Sequence, residues 1–267
     1  MIKFIDLYKI NQPYENAFQN KLRSVLDSGW YILGEEVKLF ERNFAHYCQS
    51  KYCIGVGNGF DALTLIYKGY IQLGKMQKGD EVIVPANTYI ASILSIIQAD
   101  LVPVLVEPKL ETYTIDPNLI TEKITYKTRS ILAVNLYGQL AELDAINEIA
   151  IKNNLIVVED SAQSHGATLE NNKSINTQAF SFYPGKNLGA LGIFALFFIA
   201  GLIPALLYSK YDIQIYINQF FHPVANNIFL FFTKNHFFSC GILFLSCSTR
   251  SSLSIFSIAF VVFDYVF

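Results

Sequence analysis

The residues able to do chemistry stand in four short segments. In SFYPGKNLGALG (181–192), Lys186 is the one charged side chain. Among aromatics, proline and glycine it is expected to be partly desolvated, which favours the neutral, nucleophilic amine. The plainer alternative is a solvated surface lysine. In EDSAQSHGA (159–167), Glu159 and Asp160 follow the apolar run LIVV and bring carboxylates to a strand end. Such a carboxylate can keep a ring nitrogen protonated. Gln163, one turn on, can donate to a ring oxygen, and His165 is near. The alternative for Asp160 is a helix N-cap.

In GNGFDAL (57–63), two glycines and Asn58 lead into a helix start. Backbone N–H groups there can approach an anion, with the helix dipole in support. Otherwise the segment is a tight turn with Asn58 or Gly59 at positive φ. In ANTYIAS (86–92), Tyr89 can stack on a flat ligand or serve as a core tyrosine. Taken together, these parts are an anion cradle, an aromatic plate, a carboxylate for a pyridinium nitrogen and a Schiff-base lysine. Pyridoxal 5'-phosphate (PLP) requires that set.

The elements that must position these residues alternate between β-branched runs and amphipathic runs. Strands are expected at 53–57, 81–85, 102–107, 131–138, 155–160 and 179–184. Helices are expected at 60–73, 88–98, 116–124 and 141–154, with Asp116 capping the third. Leu63, Ile66, Tyr67 and Tyr70 share one face of the first. Residues 14–48 read as two helices joined by a loop at 28–34. The pattern predicts an α/β fold with a mostly parallel sheet covered on both faces. Ligands then gather beyond the C-terminal strand ends, where the four segments lie.

A net charge of −2 gives no electrostatic reason to expect a nucleic acid or a bilayer surface. Cys48, Cys53, Cys240 and Cys247 form no C-x-x-C pair. No metal site is expected from them, and reduced thiols in the cytoplasm are. The first residues lack the apolar core of a secretory signal.

VVEDSAQSHGA and FSFYPGKNLGALG resemble the DegT/DnrJ/StrS family of PLP-dependent sugar aminotransferases. SGWYILGEEVKLFERNFAHYC, GVGNGFDAL, GDEVIVPANTYIAS and PVLVEP match the same pattern in order. The resemblance covers residues 1–192 and is nearest the branch acting on dTDP-linked 3-keto-6-deoxyhexoses. It implies the large domain of the fold-type I PLP-dependent transferases and a homodimer. By this resemblance Lys186 would bind the cofactor as a Schiff base and shuttle a proton. Asp160 would pair with the ring nitrogen, Gln163 would contact the ring hydroxyl, and Tyr89 would stack on the ring. The Gly59 and Phe60 N–H groups, with Ser181, would hold the phosphate. L-Glutamate would donate the amino group to the nucleotide sugar.

The resemblance stops at Gly192. Residues 193–267 carry five of the 42 Asp, Glu, Lys and Arg residues and 15 of the 22 phenylalanines, so they are read separately as an apolar tail. Out-of-frame translation after codon 192 is the expected origin. A membrane anchor over 187–209 and a novel soluble domain are the alternatives. The corresponding alternative functions are a non-catalytic remnant and a membrane-anchored protein of envelope-sugar assembly.

Overall fold

The computed structural model describes residues 3–168, 174–190 and 258–262. The frame change and the novel domain expected over 193–267 lie outside them except at 258–262, and so does the spanning segment expected over 187–209 from residue 191 on. The described residues belong to one compact unit, and residues 192–249 lie outside them. No helix among the described residues is long and apolar enough to cross a membrane.

A short helix, α1 (Leu7–Asn11), and a 3-10 turn precede α2 (Glu15–Ser28) and α3 (Glu35–Tyr47). Gly29 ends α2 at φ 65° and donates its N–H to the Leu26 carbonyl, the left-handed closure that glycine adopts without a Cβ clash. Strand β1 (Tyr52–Val56) follows, then α4 (Gly59–Gln72), β2 (Glu81–Pro85), α5 (Ile90–Gln98) and β3 (Val102–Val106). Next come α6 (Pro117–Lys123), β4 (Thr128–Val134), α7 (Leu143–Asn153), β5 (Ile156–Asp160), β6 (Thr177–Ala179) and β7 (Ile258–Val262). Asp116 caps α6 by accepting the Asn118 N–H at 2.9 Å, as its place before Pro117 predicts.

The sheet runs β1-β7-β6-β5-β4-β2-β3, and every pairing is parallel. Successive strand residues face opposite sides, and each side has its own core. Val82, Val84, Leu132, Val134 and Val158 pack with Leu63, Ile66 and Tyr67 of α4 and Ile96 of α5. Ile83, Ile131, Ala133 and Val157 pack with Ile120 of α6 and Leu143, Ile146 and Ala150 of α7. A third cluster joins Phe44 of α3 to Cys53, Phe180 and Phe182.

Two strands differ from expectation. The run expected at 131–138 pairs only to Val134, and Leu136–Gly138 form a 3-10 turn with Tyr137 at φ 57°. Asn135 still donates its N–H to the Asp160 carbonyl of β5 at 3.0 Å, while its side chain accepts the Ala141 N–H at 3.0 Å in the turn that follows. The strand expected at 179–184 lies earlier, at 177–179. Beyond it the Tyr183 N–H turns to Ser181 Oγ at 3.4 Å, and Pro184 has no N–H for a ladder. One strand was not foreseen. The apolar segment Ile258–Val262 pairs with both β1 and β6 inside the sheet.

Candidate active site

All strands are parallel, so their C-terminal ends share one edge of the sheet. Gly59 opens α4 just beyond β1, Tyr89 caps α5 beyond β2, Asp160 ends β5, and Ser181 follows β6. Asn58 caps α4 by accepting the Asp61 N–H at 2.8 Å and donates back to Asp61 Oδ2 at 2.9 Å. Asn58 is extended, and Gly59 is absent from the positive-φ residues, so the turn uses neither in the left-handed region. A Cβ at 59 would stand 3.4 Å from Ser181 Cβ and 3.9 Å from its Oγ, ordinary van der Waals contact, so the helix start and the segment after β6 lie side by side. Ser181 is 3% exposed, and Phe60 is half-buried beside Gly59.

Asp160 is buried. Its Oδ2 accepts from Ser92 Oγ at 2.7 Å and its Oδ1 from the Ala162 N–H at 3.2 Å. Ser92 Oγ also meets Thr88 Oγ1 at 2.8 Å. No helix follows Asp160, so the N-cap alternative is excluded. Its neighbour Glu159 is fully enclosed on the opposite face. Glu159 accepts from Asn135 Nδ2, Asn176 Nδ2 and Gln178 Nε2, each at 3.0 Å, and from Ser174 Oγ. Four donors offset the loss of water around that carboxylate, which makes it a structural group.

Gln163 Oε1 accepts the Tyr137 N–H at 2.8 Å, which leaves the amide nitrogen as its donor toward a ligand. Tyr89 is 71% exposed at the same edge, which rules out the core alternative, and it connects to Asp160 through its neighbour Thr88. Lys186 is half-buried, on a loop closed by Lys186 N–H to Tyr183 O at 2.8 Å and Ala190 N–H to Phe182 O at 2.9 Å. Asn187 ties this loop to His165, with Oδ1 2.7 Å from Nδ1 and Nδ2 donating to the His165 carbonyl at 3.2 Å.

The predicted residues thus meet as local sets. Gly59 faces Ser181, Asp160 meets the Thr88–Ser92 hydroxyls beside Tyr89, and Lys186 adjoins His165 through Asn187. Sequence reasoning missed Thr88, Ser92 and Asn187. Their signal was position alone, one residue before Tyr89, three after it, and one after Lys186.

A family model for the DegT/DnrJ/EryC1/StrS aminotransferases matches residues 13–193. The chain belongs to this family. A relative from Aneurinibacillus thermoaerophilus, dTDP-3-amino-3,6-dideoxy-alpha-D-galactopyranose transaminase, is 57% identical over 192 residues, 72% of this chain and 48% of that protein. The dTDP-3-amino-3,4,6-trideoxy-alpha-D-glucose transaminase of Streptomyces venezuelae is 44% identical, over 72% of this chain and 50% of that protein. The chain spans about half the length of these relatives. The crystal structure of S. venezuelae DesV in complex with a ketimine intermediate superposes with a TM-score of 0.67 at 42% identity, covering 71% of this chain and 51% of that one. The described α/β unit therefore has the fold of the PLP-dependent sugar aminotransferases in this family.

Proposed function

We propose that this chain carries the cofactor half of a transaminase acting on a dTDP-linked 3-keto-6-deoxyhexose, with L-glutamate as amino donor. Bound PLP would supply an aldehyde that takes up the amino group and a ring that accepts the electrons released at carbon. The residues fit that group. Gly59 and Ser181 lie close together at a helix start, where the N–H groups of Gly59 and Phe60 and the Ser181 hydroxyl would hold a phosphate. Asp160 would hold the ring nitrogen protonated, and the Ser92 hydroxyl keeps its carboxylate oriented. Gln163 would donate its amide N–H to the ring hydroxyl, and Tyr89 would cover the ring. Lys186 would attach the cofactor and carry the proton between carbon atoms.

The observation that carries this reading is the seam where Gly59 of α4 faces Ser181 beyond β6, beside the Asp160 strand end. A homodimer and a cytoplasmic location belong to the same proposal. The free thiols of Cys48 and Cys53 suit a reducing compartment. The test is borohydride trapping of PLP on the full chain, followed by peptide mapping. Trapping on Lys186, lost in Lys186→Ala, is expected. Trapping that persists in Lys186→Ala overturns the reading. Glutamate-dependent amination of the dTDP-keto sugar, with release of 2-oxoglutarate, tests the substrate pair.

A further inference from the structure

We propose that His165 and Asn187 act together as positioning residues that hold the Lys186 loop in its reactive place. The inference rests on the reading of Lys186 as the attachment lysine. Asn187 is the residue after Lys186, and its amide grips His165 at two points, ring Nδ1 and backbone carbonyl. The two bonds fix each other's polarity. Asn187 Nδ2 must donate to a carbonyl, so Oδ1 is the end that meets the ring, and His165 Nδ1 must carry the hydrogen.

His165 is itself held. Its ring packs against Phe182 at 4.9 Å between centroids, Phe180 at 5.3 Å and Phe44 at 6.4 Å. Phe44 lies on α3, and Phe180 and Phe182 bracket Ser181. The imidazole therefore joins three things: the aromatic cluster under α3, the Ser181 side of the cradle and the Lys186 loop. Burial, the largest effect, and the Lys186 charge favour the neutral ring, while Asn187 and the Ser181 backbone favour the charged one. Net, the neutral ring is favoured, and its hydrogen belongs on Nδ1 because the Asn187 geometry places an acceptor there.

The base of the loop is fixed independently. A Cβ on Gly189 would lie 2.3 Å from the Pro184 carbonyl oxygen, so the chain there is already in contact. Its two backbone bonds close the turn around Lys186. What remains is the direction in which the lysine leaves the loop, and the Asn187–His165 grip adjoins it directly. A reacting group displaced by about 1 Å can lose about 100-fold in rate, so this grip has kinetic weight without touching the cofactor.

The experiment measures two quantities on the full chain. One is PLP affinity by equilibrium dialysis, the other the rate at which PLP becomes borohydride-trappable on Lys186. Asn187→Ala and His165→Ala are each expected to hold affinity within about threefold while slowing attachment roughly 10- to 100-fold. The double variant should be no slower than either single one, because both remove the same grip. Should Asn187→Ala fail to fold, Asn187→Asp carries the test. It keeps an acceptor for Nδ1–H, loses the donor to the carbonyl, and should slow attachment several-fold.

Attachment at the parent rate in these variants, with Lys186→Ala untrappable, overturns the positioning role and leaves the lysine reading intact. Equal losses of affinity and attachment also overturn it, since they report general damage. Trapping that persists in Lys186→Ala brings down the lysine reading and this inference with it.

Discussion

Glu159 and Asp160 are adjacent carboxylates with different work because a strand turns successive side chains to opposite faces. Glu159 points with Val157 toward the α7 side and is closed in by four donors. Removing it strands those donors, so Glu159→Leu is expected to cost about 3 kcal/mol in urea unfolding. Asp160→Asn keeps an acceptor for Ser92 and should change stability by less than about 1 kcal/mol. It should weaken PLP binding at least about tenfold, measured by dialysis, because a neutral amide cannot hold the ring nitrogen charged. The apolar run before them placed both carboxylates at the strand end, and only the family resemblance singled out Asp160. His165 adds a pH dependence. Burial, with the Lys186 charge, holds its folded pKa below the ordinary value of 6.5, so the unfolded chain binds the proton more readily. Stability should be full above pH 6.5 and fall as pH drops from there through the folded pKa. Thermal melts at pH 7.5 and 5.5 should show a smaller drop in His165→Gln.

At the scale of the element, the Lys186 loop depends on a contact with no room to spare. Gly189 sits against the Tyr183–Pro184 peptide, and a methyl group at 189 would meet backbone atoms at 2.3, 2.8 and 3.0 Å. Backbone cannot rotate away as a side chain can. Gly189→Ala should therefore open the turn, destabilise the chain by about 1–3 kcal/mol in urea unfolding, and abolish trapping of PLP on Lys186. The run AFSFYP is apolar and aromatic enough to read as a strand, and local pattern extends it to 184. Pairing ends after Ala179 instead, and farther on the Tyr183 N–H turns to Ser181 Oγ and Pro184 has no N–H to offer a ladder.

Across the whole molecule, the loop between α2 and α3 presents Trp30, Tyr31, Ile32 and Leu33 at 45–71% exposure. Four consecutive large apolar side chains in water favour self-association. Light scattering should find the chain associated or aggregated, and Trp30→Ser with Ile32→Ser should shift it toward smaller species. A chain that is monodisperse and monomeric with the loop intact would contradict this. The sheet itself draws on the far end of the sequence, since Ile258–Val262 pairs between β1 and β6, the strands that lead to Gly59 and Ser181.

The sequence by itself determined the elements whose periodicity is strong, among them β2, α4, α7 and β5, because burying one face of a helix or both faces of a strand leaves a repeat that needs no partner to be seen. It also carried the motifs around Lys186, Asp160 and Gly59 that resemble the family's, because residue types at fixed spacing can be read without a fold. The tertiary structure decided which side chains serve those groups. Ser92 reaches Asp160, Ser181 faces Gly59, and Asn187 grips His165 only when separate strands end on one edge. Hydrogen bonds of that kind depend on distance and direction in space, which a linear pattern of residue types does not encode.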